Sequence, residues 1–151
     1  MKRRLAREIA VQSLYQMEMN EVDAENAVAM IVEEAKQEES ELEADTAGLA
    51  QVARRAFELT AGVNERRAAI DDLLQHYLTG WQMDRLSRVD RQILRVACYE
   101  LVYREDVPPK AAINEAIELA KHFGTDESGK FVNGVLGKVI GALDELKKQR
   151  K

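Results

Sequence analysis

The chain has 151 residues, 46% of them hydrophobic, which is enough apolar material for one domain of ordinary size. Aromatic residues reach only 5% and charged residues 32%, a composition that argues against a β-sandwich or barrel and favours long solvated helices. The net charge of −5 argues against a uniformly basic nucleic-acid-binding surface.

Apolar residues at spacings of three and four predict a first helix over about residues 3–19. Arg4, Arg7 and Tyr15 share one stripe of it, so the arginines of the first turns line up with an aromatic ring. Asp23 is suited to cap a second helix over about residues 24–37. Residues 18–45 hold eleven acids and one base, and their last part, residues 38–45, is predicted to form a mobile connection.

A long apolar series from Leu49 to Tyr77 runs through Gly62 and predicts a single long helix, either straight or kinked at Gly62, closed by Gly80 and Trp81. Residues 84–104 come next, and their middle is apolar nearly all round, which predicts a central buried helix.

Pro109 is suited to open the following helix, which Gly124 ends. Thr125 or Asp126 can cap a last helix that runs to about Leu146. This helix carries Gly134, Gly137 and Gly141 on one face, and because glycine weakens a helix we expect another helix backbone to pack closely there.

The fold prediction is therefore all-α, with six or seven helices in two small packed bundles. We place the N-terminal bundle at about residues 1–80 and the C-terminal bundle at about residues 81–148, within one domain spanning 1–151. The sequence shows no membrane-length apolar run and no signal-peptide pattern, so we expect a cytoplasmic protein that does not enter a membrane.

Catalytic chemistry is not indicated, and we predict that the chain is not an enzyme and has no cofactor or metal. Residues 124–130 read GTDESGK, but a phosphate-binding loop needs Ser or Thr next and a strand before it, whereas Phe131 follows and a helix precedes. Asp71 and Asp72 are adjacent on a helix, point apart and are interpreted as solvated. Cys98, the single cysteine, lies in the most apolar stretch and is interpreted as an inert core thiol.

Three motifs together resemble the NusB family of transcription antitermination factors over essentially the full chain. They are RRLAREIAVQSLYQ at residues 3–16, W-x-x-x-R-x-x-x-V-D-R-x-I-L-R-x-x-x-Y-E-L at residues 81–101, and VPPKAAINEAIELAKHFG at residues 107–124 followed by FVNGVL. The chain departs from the family pattern at Leu5, where one member has a further arginine, and at Gly137, where an acid is frequent.

The resemblance implies an all-helical, non-catalytic factor that binds the single-stranded boxA element of ribosomal RNA leader transcripts. It implies binding together with NusE, a small-subunit ribosomal protein. It also implies assembly with other Nus factors on RNA polymerase and suppression of Rho-dependent termination. Related proteins can also form a homodimer.

The family's functional residues are carried over by position. The RNA-binding residues implied are Arg3, Arg4, Arg7 and Tyr15 of the N-terminal helix and Glu127, Lys130 and Phe131 at the start of the last helix. The NusE-binding residues implied are Asp84 and Asp90. An alternative is a NusB-like helical protein-interaction module without RNA binding of its own.

Overall fold

The computed structural model describes residues 2–38, 46–80 and 82–149 and divides the chain into two compact units, which meet in the sequence between Glu65 and Arg66. Within the described residues the secondary structure is helical, and the predicted all-α class is confirmed. The eight α-helices assigned there exceed the six or seven predicted. None of the described helices is long and apolar enough to cross a membrane.

The first unit contains three helices: α1 (Lys2–Asn20), α2 (Ala24–Glu38) and α3 (Thr46–Glu65). Each packs on the other two around a buried apolar cluster formed by Ala6, Ile9, Val28, Ile31, Val52 and Ala56. Asp23 caps α2 as predicted, because its Oδ1 accepts a hydrogen bond from the Asn26 N–H at 2.8 Å. The predicted mobile connection lies outside the described residues, apart from the last residue of α2.

The second unit contains α4 (Arg67–Tyr77), a 3₁₀ turn (Met83–Arg85), α5 (Arg88–Tyr103), α6 (Pro109–Phe123), α7 (Asp126–Gly141) and α8 (Leu143–Gln149). Helix α5 is its centre, as predicted: every residue from Gln92 to Val102 is buried, and α4, α6, α7 and α8 all pack on it. Pro109 opens α6 and Thr125 caps α7, as expected.

The single long helix predicted through Gly62 is wrong, because the helix is interrupted at Arg66. The predicted bundle boundary near residue 80 is displaced for the same reason, since α4 belongs to the second unit. The apolar spacing continues across the break through Ile70 and Leu74, so periodicity did not reveal it. The Arg66 guanidinium lies 4.9 Å from the centroid of the Tyr103 ring of α5, a cation–π contact that holds the start of α4.

Two expectations for the last helix also change. The helix ends at Gly141, and α8 begins after Ala142, so it does not run unbroken to Leu146. The close helix contact predicted along Gly134, Gly137 and Gly141 is wrong, because a Cβ added at any of them would meet nothing within 4 Å. These glycines lie on the exposed side of α7, and the opposite side carries its packing residues.

The carboxylates of Asp71 and Asp72, which the sequence suggested were equivalent, have different environments. The Arg95 guanidinium of α5 makes two hydrogen bonds of 2.8 Å to the Asp71 carboxylate of α4, and it also donates to Gln92 Oε1 at 3.2 Å. Arg95 is only 7% exposed. The interpretation of Asp71 as solvated is therefore wrong, whereas Asp72 is exposed as expected.

Candidate nucleic-acid interface

The N-terminal turn of α1 presents Arg3 and Arg4 as exposed side chains. No acidic residue lies in this turn. Positive side chains at a helix N-terminus oppose the helix dipole, which favours anions there, so their placement does not serve helix stability. Guanidinium groups with exposed backbone N–H groups beside them are instead suited to phosphate.

The remaining residues of the predicted stripe on α1 face the interior of the first unit. Arg7 is 4% exposed, and Val11 of the same stripe is also buried. Tyr15, one turn further, is half-buried. The structure therefore leaves Arg3 and Arg4 accessible to a ligand and encloses most of Arg7.

In the second unit, the starts of α5 and α7 lie side by side and enclose a cleft of about 350 Å³. Its lining residues are Arg85, Leu86, Ser87, Asp90, Glu127, Ser128 and Phe131. This cleft, called the α5–α7 cleft below, brings together Asp90, predicted to contact a protein, and Glu127 and Phe131, predicted to contact RNA.

Two further predicted residues lie close to this cleft in the second unit. Lys130 is exposed, with its Nζ 3.5 Å from Glu127 Oε1, a solvent-screened pair that binds neither side chain tightly. Asp84 lines a neighbouring cleft of about 460 Å³ together with Gly80, Gln82 and Arg85. A larger cleft of about 510 Å³, between α4, α5 and α8, contains none of the predicted site residues.

Hydrogen bonds from local polar groups hold the α5 wall of the cleft in place. Ser87 is the N-cap of α5, and its Oγ accepts a hydrogen bond from the Asp90 N–H at 3.1 Å. The Arg91 guanidinium donates to the carbonyl oxygens of Met83 at 2.9 Å and Leu86 at 3.1 Å. The 3₁₀ turn and the segment that follows it are thus fastened to the first turn of α5.

The α7 wall depends on two glycines. A Cβ at Gly124 would lie 2.6 Å from Ser128 Oγ, so the absence of a side chain at Gly124 leaves room for the Ser128 hydroxyl. A Cβ at Gly129 would lie 3.0 Å from Cγ of Lys121 on α6, so the helices approach closely there. Thr125 Oγ1 accepts a hydrogen bond from the Ser128 N–H at 3.3 Å and caps the helix.

Asp90 lies between the two walls and lines the cleft together with Ser87 and with Ser128 of α7. Burial raises the pKa of the Asp90 carboxyl, and the side chains of Ser87 and Ser128 oppose the rise. Asp90 is therefore a partly desolvated carboxylate, in contrast to the exposed Asp84.

Sequence reasoning missed Ser87, Ser128 and Arg85 as lining residues of the cleft. The pattern Ser87-x-x-Asp90 is a capping signature that could have located the start of α5. The place of Asp90 and Ser128 in one cleft leaves no local signal, because the two residues are distant in the sequence and come together through the packing of α5 on α7.

Among the described residues, neither Cys98 nor the acidic and imidazole side chains form a nucleophilic or metal-binding site. Cys98 is fully buried, and burial followed by the charge of Asp71 raises the pKa of its thiol to about 12, so it is not a nucleophile at neutral pH. The described residues contain no group of three or more His, Cys, Asp or Glu side chains able to hold a metal ion.

Comparisons with known proteins agree with this architecture. Residues 4–141 match the model of the NusB family. Transcription antitermination protein NusB of Bacillus pumilus is 41% identical over 145 residues, covering 96% of this chain and 99% of its own. The protein of that name from Myxococcus xanthus is 42% identical over 143 residues, covering 95% and 97%.

Solved structures give the same result. NusB of T. maritima matches with a TM-score of 0.74 and 36% identity, covering 98% of this chain and 92% of that one. A chain from a crystal structure of antitermination factors NusB and NusE in complex with dsRNA matches with a TM-score of 0.77 and 25% identity, covering 93% and 97%. The fold thus defines an all-helical protein of the class to which these transcription antitermination proteins belong. The chain belongs to the NusB family of transcription antitermination proteins.

Proposed function

We propose that this protein binds the single-stranded boxA element of ribosomal RNA leader transcripts together with NusE, and that the complex acts with other Nus factors on RNA polymerase to suppress Rho-dependent termination. The observation that carries the proposal is the α5–α7 cleft, which places Phe131 and Glu127 beside Asp90 in a chain of the NusB family. The related solved complex of NusB and NusE with dsRNA supports RNA in general and NusE as partners.

Both units contribute positive charge and an aromatic ring to RNA binding in this proposal. Arg3 and Arg4 on α1, and Lys130 on α7, supply exposed positive charge for phosphates. Phe131 is half-buried at the edge of the cleft, so part of its ring is available to stack on an unpaired base. Tyr15 is half-buried on α1 and is a second aromatic candidate.

NusE is proposed to dock on the carboxylate side of the second unit. Asp84 is exposed on the 3₁₀ turn, and Asp90 lies in the first turn of α5 and lines the α5–α7 cleft. A basic partner docked there would cover acidic surface that repels phosphate and would add phosphate contacts of its own. RNA and NusE should therefore bind cooperatively.

We expect saturating NusE to raise the affinity for boxA RNA by roughly 5–150-fold, the range of a typical coupling of about 1–3 kcal/mol. RNA should raise the affinity for NusE by the same factor, because coupling free energies are reciprocal. Fluorescence-anisotropy titration of labelled boxA RNA, with and without NusE, measures the coupling, and a scrambled RNA of the same composition serves as the control. Equal RNA affinity in both titrations would refute cooperative binding, and NusE binding without any RNA binding would identify a protein-interaction module.

Arg4→Ala should weaken RNA binding and reduce the slope of log affinity against log salt by about 0.7, the value for one lost phosphate contact on a single strand. A salt series with boxA RNA measures this slope. Arg54→Ala is the matched control, because Arg54 is an exposed arginine on α3 of the same unit.

Arg7→Ala, measured in the same salt series, distinguishes the loss of an RNA contact from the loss of protein stability. Because Arg7 is buried, its removal should lower the free energy of unfolding rather than the salt slope. If Arg4→Ala and Arg54→Ala have the same slope as wild type, the N-terminal turn of α1 is not a phosphate-binding element.

A further inference from the structure

Arg85 is the positively charged side chain of the α5–α7 cleft. Among the described residues that line this cleft, Asp90 and Glu127 are acidic and Arg85 alone is basic. Arg85 is exposed, and its guanidinium makes no hydrogen bond or ion pair with any other described residue. Arg91 and Arg95 of the same unit, by contrast, donate hydrogen bonds within it. The guanidinium of Arg85 is therefore available to a ligand.

The backbone that carries Arg85 is held on both sides. Arg85 ends the 3₁₀ turn, and its N–H donates to the Gln82 carbonyl oxygen at 2.9 Å. The side chains of Met83 and Leu86 are buried, and the carbonyl oxygens of both accept hydrogen bonds from the Arg91 guanidinium. A backbone that is already ordered loses little conformational entropy when the side chain it carries binds a ligand.

Arg85 lines two neighbouring clefts. It shares the α5–α7 cleft with Phe131, and it shares the cleft of about 460 Å³ with Asp84. A strand whose base stacks on Phe131 brings its phosphates close to the carboxylates of the α5–α7 cleft, which repel them. A guanidinium in the same cleft offsets this repulsion, and its planar array of donors matches the oxygens of a phosphate.

We propose that Arg85 is a phosphate-binding residue of the RNA site, and that it holds the backbone of the strand whose base stacks on Phe131. The inference rests on the proposed function, because it concerns the same cleft, and it adds a contact that the family resemblance did not assign. The charge of Arg85 favours RNA over a protein as its ligand: a basic protein docked at Asp84 is repelled by Arg85, whereas a phosphate is attracted.

The test measures the boxA RNA affinity of the full chain without NusE in a salt series. Arg85→Ala should reduce the slope of log affinity against log salt by about 0.7 and weaken binding about fivefold at roughly 0.1 M salt, the effect of one lost phosphate contact on a single strand. The affinities of wild type and variant should converge as the salt concentration rises. Arg85→Lys should keep the wild-type slope, because lysine keeps the positive charge.

Arg67→Ala is the matched control, because Arg67 is an exposed arginine on α4 of the same unit and does not line either cleft. It removes the same charge from the chain, so it should keep the wild-type slope if the effect of Arg85 is a direct contact. A second measurement is the affinity for NusE without RNA, which Arg85→Ala should not weaken.

The outcomes separate this inference from the proposed function. If Phe131→Ala weakens RNA binding but Arg85→Ala has the same slope as Arg67→Ala, the RNA site stands and the role of Arg85 is refuted. An unchanged slope with weaker NusE binding would refute it as well, and would assign Arg85 to protein docking. If the wild type binds boxA no more tightly than scrambled RNA, the proposed function itself fails and the inference fails with it.

Discussion

Asp71→Ala should lower the free energy of unfolding by about 3 kcal/mol, the lower end of the range for breaking a buried ion pair. The substitution removes two hydrogen bonds of 2.8 Å and the carboxylate counter-ion from an Arg95 guanidinium that is only 7% exposed. Asp71 itself is partly exposed, which is why the effect lies at the lower end. Urea unfolding followed by circular dichroism measures it.

The neighbouring residue provides the matched control. Asp72→Ala removes the same group from an exposed position on α4 and should change the free energy of unfolding by less than about 0.5 kcal/mol. The double variant Asp71→Leu with Arg95→Met should be more stable than Asp71→Ala, because it removes the buried guanidinium charge together with the carboxylate. Equal stability of Asp71→Ala and Asp72→Ala would show that the ion pair contributes nothing.

Phe131→Ala should weaken boxA binding by about 1–3 kcal/mol, the loss expected when one base loses its aromatic stacking partner. The salt slope should stay unchanged, because no charge is removed. This combination distinguishes Phe131 from Arg4, whose removal is expected to change the slope. Titration of boxA RNA at several salt concentrations measures both quantities on one sample.

Phe131 is half-buried, so a parallel variant must separate packing from stacking. Phe131→Leu keeps apolar volume at the edge of the cleft and removes the aromatic face, and it should bind RNA nearly as weakly as Phe131→Ala. Phe57→Ala is the control, because Phe57 is an exposed phenylalanine, 41% accessible, on α3 of the other unit. RNA binding by Phe131→Leu at the wild-type level would show that the ring does not stack on a base.

Local signals in the sequence predicted the features that depend on nearest neighbours along the chain. The cap at Asp23, the opening of α6 at Pro109 and the cap at Thr125 each depend on a side chain acting within one turn, and the structure confirms them. The burial of α5 was equally readable, because a helix that is apolar nearly all round has no face suited to solvent.

Features that depend on distant packing were missed or misread. The break at Arg66 preserves the apolar spacing of α3 and α4, so the sequence pattern could not show that α4 packs on α5. Asp71 looked like its neighbour Asp72 until Arg95, on another helix, proved to be its partner. Asp90 was predicted from the family resemblance to contact a protein, and its place in one cleft with Ser128 becomes visible only when α5 and α7 are packed together.

The glycines were misread for a different reason. A glycine inside a helix is explained by close packing in some proteins and left exposed in others, and the sequence does not distinguish these cases. Gly129 has a close neighbour on α6, whereas Gly134, Gly137 and Gly141 have none. The glycine that packs closely, Gly129, was therefore not among the three glycines that the spacing pattern singled out.

The exposed side of α7, which carries three glycines, affects how this helix unfolds locally. Along Gly134, Gly137 and Gly141 the peptide groups face water without side-chain cover, and glycine gains more backbone entropy than other residues when a helix opens. Val135, Leu136 and Val139 anchor this half from the opposite side. The first turn has the Thr125 cap and the close fit of Gly129 on α6. Helix α7 should thus open from its C-terminal end, with amide hydrogen exchange progressing toward Phe131 and reaching that turn last.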